Sequence, residues 1–455
     1  MMLGSDLLLM GAIVALASPV VEVEEEVYTY TAPNNGAGPM WCFGSTCLVR
    51  SGGRLFASGQ ETIEGAQPLN NVRWTLYTRY DGGWRLIAKD GGRTREPSPM
   101  TAFNGGQVFL SVNPTLTPPG TEGGGPAKPQ ILAFRAIAPD APPTVLEPRW
   151  EGEPAFTEHS YRSFAADGPN GELILFQNIG YTHAEWAFRD RSGQWVAAGK
   201  LQWPFGAEYD DPQPIRVCYP NVALRDRAVY FCGVSDIVEP YHVWRDFKRE
   251  LTGREWDYDF RRLFLTACPD IRTARFTPWV EIASRDKTCG WISPCDLYVA
   301  PDGAVHVLWT ERAIDERLRD RFFPEAKQRH ALEYAIVRDG QVTHRRTLLE
   351  AGEGLGGEVP GQHRFQVTPD GRLFVFGYVS GVNAAGEGLS EDRLLELRDG
   401  APAGPAVRVP LEYPFSSFFT ATVRAGSPPS YTLDLLGECP GESHTIRYAR
   451  VRLAS

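Results

Sequence analysis

Thr157-Glu158-His159-Ser160-Tyr161-Arg162-Ser163-Phe164-Ala165-Ala166-Asp167, with its continuation to Tyr219, decides the reading of the whole chain. After Gly168-Pro169-Asn170-Gly171 come the apolar run Leu173-Ile174-Leu175-Phe176 and then Asn178-Ile179-Gly180-Tyr181-Thr182-His183. Trp186-Ala187-Phe188 follows, and past Arg191-Ser192-Gly193 comes Gln194-Trp195-Val196. Short apolar runs divided by Gly, Pro, Asn and Asp predict a meander of strands about five or six residues long, joined by tight turns. Alternate connections of a meander lie at the same end. His159, before the first strand, and His183, between the second and third, therefore share one end of the unit.

The rest of the chain repeats this unit. Inner hairpins are expected at Leu48 to Ser58, Met100 to Val112, the opening stretch, Asn221 to Phe231, Leu297 to Trp309, Phe365 to Phe376 and Thr420 to Leu435. Their turn centres stand roughly 50 to 75 residues apart, as blade repeats with loop insertions do. Outer hairpins fall between them, as at Asp81-Gly82-Gly83, Arg338-Asp339-Gly340 and Arg398-Asp399-Gly400. One strand, Thr445 to Leu453, is left over, and Val27 to Tyr30 is its expected partner. Closing the last blade with an N-terminal strand removes an exposed sheet edge. The expected fold is all-β, a seven-bladed β-propeller of four-stranded antiparallel blades over residues 19–455. Two insertions at the histidine end, Ile237 to Arg262 and a charged, helical excursion from Glu311 to Ala331, are expected to wall a cleft.

Composition bounds the partners. Among 455 residues, 46 Gly and 36 Pro with 11% aromatics suit many turns between packed short strands. The formal charge of −10 and the absence of a basic stripe exclude a general nucleic-acid binder. Residues 1–18 carry the short apolar core Leu7 to Ala17 and a small-residue site, which reads as a signal peptide and a secreted or periplasmic location. No stretch is long enough to span a bilayer. The eight Cys suit an exported protein, with Cys42/Cys47 and Cys289/Cys295 spaced as local loop staples. A monomer is expected.

Several side chains converge on the histidine end, because innermost strands begin near the axis. They are His159, His183, Tyr161, Asn178, Arg216, Tyr219, Trp291, Arg312 and His363, with Arg245 in the first insertion. Two His and a Tyr on adjacent blades at one face suit proton transfer, and the arginines suit an anionic group. His306 alternates with Val305 and Val307 inside a strand and is read as structural. In a binding module, Trp41, Tyr219 and Trp291 would be stacking platforms.

The repeats, the His159…His183 pair and Tyr219-Pro220 resemble the sialidase-like propellers of the BNR-repeat group, and within it the propeller polysaccharide lyases typified by ulvan lyases. The resemblance covers nearly the whole chain through loosely spaced motifs. It implies β-elimination from a uronic-acid-containing polysaccharide, with His159, His183 and Tyr219 as the catalytic set and no cofactor required. A structural divalent cation is compatible with it. The family has an arginine for the uronate where this chain reads Val234-Ser235-Asp236, so Arg245 or Arg216 would stand in. The alternatives are a sialidase-like glycoside hydrolase, for which no intact Ser-x-Asp-x-Gly-x-Thr-Trp box is present, and a non-catalytic glycan- or protein-binding propeller.

Overall fold

Turn chemistry and alternation give seven four-stranded blades in chain order, as the repeat predicts, except that the first strand of the seventh ends at Thr420, where its hairpin is expected to begin. The computed structural model describes residues 18–254 and 257–453. Blade one comprises Leu48–Ser51, Arg54–Thr62, Val72–Tyr80 and Gly83–Lys89. Blade two comprises Met100–Phe103, Gln107–Val112, Gln130–Arg135 and Thr144–Leu146. Blade three, the opening stretch, comprises Ser163–Asp167, Glu172–Ile179, His183–Arg189 and Trp195–Gln202. Blade four comprises Val217–Arg225, Ala228–Ser235, Arg262–Cys268 and Val280–Ser284. Blade five comprises Trp291–Val299, Val305–Arg312, Arg329–Arg338 and Gln341–Gly352. Blade six comprises Glu358–Val367, Leu373–Val382 and Gly388–Arg398, edged by Ala401–Pro402 and Val407–Val409. Blade seven comprises Ser417–Thr420, Thr432–Glu438 and Thr445–Arg452, with Val20–Thr29 paired antiparallel on its outside. That N-terminal strand begins several residues earlier than the Val27 read from the sequence. The leader expected at residues 1–18 lies, but for Ser18, outside the described residues.

Burial follows distance from the axis. Ser163–Asp167, innermost in blade three, is buried throughout, whereas the outermost Trp195–Gln202 alternates with solvent. Inner strands are covered on both faces by neighbouring blades, so they read as continuous apolar runs. Between blades three and four, Phe176 meets Phe231 at 5.1 Å between ring centres, with Trp186, Phe188 and Phe264 in the same cluster. Each such buried ring contributes roughly 1.5–3 kcal/mol.

The axis itself is polar. Arg162, Arg364 and Arg424, from the inner faces of blades three, six and seven, are all buried there. Arg424 pairs with Asp296 at 2.7 Å and donates to Asn221. The segment from Trp41 to Thr46, ahead of blade one, is threaded into this end of the axis. Its Phe43 and Gly44 carbonyls accept from Arg364 and Arg424, and Thr46 bonds Thr420 and Met100. A Cβ on Gly44 would collide with the Tyr219 and Pro220 carbonyl oxygens, so only glycine lets the segment pass.

The first insertion holds helix α1 (His242–Thr252), capped at its end by Gly253 in a left-handed conformation. Arg261 and Lys248 bolt the insertion to the blade through the buried Glu239. The second insertion is less helical than expected, a short turn at Glu316–Leu318 and another at Arg319–Phe322. Trp244 and Phe247 of α1 pack against Phe323 and Phe322. No helix among the described residues is long and apolar enough to cross a membrane. All eight cysteines are free and buried, so the expected loop staples are absent and these thiols serve as small apolar core groups.

Candidate functional site

Tyr161 and Tyr219 occupy similar places at the starts of blades three and four, and both are forced into left-handed backbone, with φ +43 and +46. That conformation costs a non-glycine residue roughly 1–3 kcal/mol, and such outliers cluster at functional sites. At Tyr219 the cause is a bulge between Cys218 and Asn221. The two phenol rings meet edge to face at 5.2 Å. Trp41, carried in by the axial segment, stacks on Tyr161 at 4.6 Å and meets Tyr219 edge-on at 5.7 Å. Phe43 stacks on the Tyr219 ring at 4.5 Å. The run continues from Tyr219 to Phe260 at 5.9 Å and from Phe260 to Trp291 at 4.7 Å. Aromatic side chains thus form a contiguous track from blade three to blade five.

His159 stands at one end of this track, 4.7 Å from the Tyr161 ring and 5.5 Å from Trp41, with 29% of its side chain exposed. Its Nδ1 lies 3.2 Å from a carboxylate oxygen of Glu96, which is wholly buried. Burial alone would raise the Glu96 carboxyl, but His159, Arg162 and Ser160 together hold it below its ordinary value. Burial pushes the Tyr219 phenol well up, with Cys218 and Asp236 adding to the shift, so it stays protonated at neutral pH.

Arg312 marks the other end, its guanidinium 6.0 Å from the Trp291 ring and without a carboxylate partner among the described residues. Trp291 is 37% exposed. Arg216 lies along the side of the track. It is paired with Asp236 at 2.5 Å and covered by the Tyr181 ring at 3.9 Å. The Tyr181 and Tyr258 hydroxyls bond each other at 2.8 Å, bridging blades three and four above it.

Other expected members stand apart from the track. His183 is the first residue of the third strand of blade three, hence further from the axis than His159. Its Nε2 lies 3.0 Å from Glu185, which also faces Lys200 at 3.7 Å. The shared end follows from strand polarity, but the radial distance does not. Asn178 is buried in the second strand, and its backbone N–H donates to Ser160. Arg245 lies on α1, donating to the Glu239 carbonyl at 2.7 Å, and so helps fix the insertion. His363 is buried, with Nδ1 bonded to the Gly361 carbonyl at 2.9 Å and its ring occupying the space a Cβ on Gly377 would need. His306 is held by Tyr334 at 2.7 Å inside its blade, as its strand position predicts.

Sequence reading places Glu96, ahead of the second inner strand, at the histidine end but missed it as the partner of His159, and missed Phe43, Phe260, Tyr181 and Tyr258 as part of the lining. The signal available for Glu96 was a lone acid before Pro97-Ser98-Pro99 at the entry to blade two. The far end of the axis holds a cavity of about 400 Å³ bordered by Asp167, Asn170, Asp226 and Pro301. Its acids are occupied locally: Asp167 accepts from Asn170 at 2.8 Å and from the Asp226 N–H at 2.7 Å. Void size therefore does not mark the site; the strained, charged and aromatic end does. No group of three or more His, Cys, Asp or Glu among the described residues is arranged to hold a metal ion.

No family model matches the chain, and no curated protein matches it. Solved structures similar to it include a protein of unknown function from Dyadobacter fermentans, at 10% identity and TM-score 0.45 over 96% of this chain and 100% of that one. Another is the alpha-L-arabinanase of Penicillium chrysogenum complexed with arabinobiose, at 11% identity and TM-score 0.40 over 95% of this chain and 99% of that one. A third is the apocarotenoid oxygenase of Synechocystis, at 10% identity and TM-score 0.44 over 91% of this chain and 86% of that one.

Proposed function

We propose that the protein is a carbohydrate-active propeller that lays a glycan along the track from Trp41 to Trp291 and cleaves a glycosidic bond beside His159. The observation that carries this reading is the track itself, five rings touching in succession across neighbouring blades. The C–H faces of sugar rings pack on aromatic faces, while polar groups at the edges take the hydroxyls. Arg312 offers a charge for an acidic sugar at the Trp291 end.

Two bond-breaking chemistries suit the groups at the His159 end. In β-elimination, His159 takes the proton next to a uronate carboxylate and the neutral Tyr219 phenol protonates the departing oxygen. The contacts linking His159, Tyr161 and Tyr219 favour it. In glycoside hydrolysis, His159 would instead take a proton from the attacking water while the Tyr219 phenol protonates the departing oxygen. The compensation of Arg216 by Asp236 and the position of His183 favour this second reading, because both remove members of the expected elimination set.

The test is a panel of uronate-containing polysaccharides and neutral ones, arabinan among them, followed by ultraviolet absorbance and by reducing ends. Absorbance together with reducing ends means elimination, and reducing ends alone mean hydrolysis. Trp291→Ala should weaken binding of whichever glycan is cleaved. Neither signal on any glycan would overturn the cleavage reading.

A further inference from the structure

Glu96 is the one carboxylate among the described residues that touches His159, and its environment is unlike that of a surface ion pair. It is wholly buried, accepts from the Ser160 N–H at 2.8 Å and from the Ser160 hydroxyl, and lies 3.8 Å from the fully buried Arg162. Arg162 is itself tied down, donating to the Pro97 carbonyl at 2.8 Å and to the Ser160 hydroxyl at 3.1 Å. These donors keep Glu96 charged, and a charged carboxylate can only accept. The imidazole nitrogen facing it must then carry the hydrogen. Trp41 and Tyr161 flank the ring, tilted at 49° and 58°, which limits its rotation.

We propose that Glu96 is the positioning residue of His159, holding the neutral imidazole as the Nδ1–H tautomer with a bare Nε2 presented to the track. This deepens the functional reading above and rests on it for its purpose, though not for its test. Which nitrogen of a histidine is protonated is set by the bond that the other one makes. A histidine side chain free in water favours the Nε2–H form, which offers no lone pair on that side. Glu96 reverses that preference. The groups facing it from every packed element are His159, Ser160 and Arg162 from the approach to blade three and Cys42 from the axial segment.

The test uses the full chain labelled with ¹⁵N-histidine, with the His159 signals identified by their loss in His159→Ala. At a pH where the ring is neutral, wild type should show a protonated Nδ1 and a bare Nε2. Glu96→Ala should lose that pattern and revert to Nε2–H, and Glu96→Gln, which keeps an acceptor oxygen, should restore part of it. Carbethoxylation of His159 by diethyl pyrocarbonate should slow in Glu96→Ala, because the bare nitrogen would then face the interior. Should Glu96→Ala not fold, Ser160→Ala, which leaves the carboxylate in place, should retain the wild-type tautomer. An Nε2–H signal in the unaltered protein overturns the proposal, as does an unchanged tautomer in folded Glu96→Ala. These outcomes need no glycan, so an inactive protein with the expected tautomer sinks the functional reading alone.

Discussion

Blades three and six open alike and end in opposite roles. Each brings an aromatic ring and then an arginine to the axis, Tyr161-Arg162 in one and His363-Arg364 in the other, and all four residues are buried. In blade three the arginine meets a carboxylate, Glu96, and the residue two places before Tyr161 is the part-exposed His159. In blade six the arginine donates to the Cys295 and Phe43 carbonyls, and no carboxylate among the described residues pairs with it. Its histidine is sealed against Gly377. Burial drives the His363 imidazole down to about 4 and the Arg364 guanidinium down to about 10. A titratable group at the right end of a blade is available for chemistry only where a charged partner and an opening to solvent accompany it, and of these two histidines His159 alone has both.

Turnover gives the widest separation between the two blades. His159→Ala should cut glycan cleavage about a hundredfold to ten-thousandfold, the usual contribution of a general acid or base, with little change in thermal unfolding. His363→Ala should do the reverse, leaving activity per folded molecule near wild type while lowering the unfolding temperature. Equal loss of activity in both variants would erase the distinction.

Stability separates the arginines. Arg162→Met removes the buried guanidinium beside Glu96, leaving that carboxylate only its Ser160 and His159 partners, and should cost about 3–5 kcal/mol in denaturant unfolding. Arg364→Met leaves only carbonyl groups without their donor and should cost less, on the order of 1–3 kcal/mol. Equal losses would mean that Glu96 draws its compensation from elsewhere.

Acid should sharpen the contrast further. His363 has a folded value depressed to about 4, below the ordinary value near 6.5, so the unfolded chain takes up the proton first as pH falls. Its contribution is present above about pH 6.5 and is lost toward pH 4, amounting to roughly 3 kcal/mol at most. His363→Gln should flatten that part of the stability profile. A profile as steep as wild type would assign the acid sensitivity to other groups.

Much of the fold was legible because it rests on local rules. The turn at Pro369-Asp370-Gly371, the alternation through Leu373–Val382 and the unpaired last strand each follow from short-range chemistry, and together they give blade number and closure. The histidine end was legible for the same reason: strand polarity is fixed once the turns are. The radial coordinate was not. His183 and His159 share an end, yet one begins a third strand and bonds Glu185 while the other stands beside the axis. Nor could sequence show that Arg216 is already matched by Asp236, since ion pairing depends on side chains brought together by a bulged strand and its neighbour.

Hydrophobic period and turn residues act within a few positions, so the inner hairpins of the first six blades, their strand polarity and the end at which their loops emerge can be read from the chain itself. Tertiary structure alone decided that the segment around Trp41 enters the axis, that Glu96 sits behind His159 across an interval of 63 residues, and that five rings from separated stretches touch. Those outcomes depend on how seven blades close into a ring, which brings distant strand starts within a few ångströms of one another and leaves no local trace in the chain.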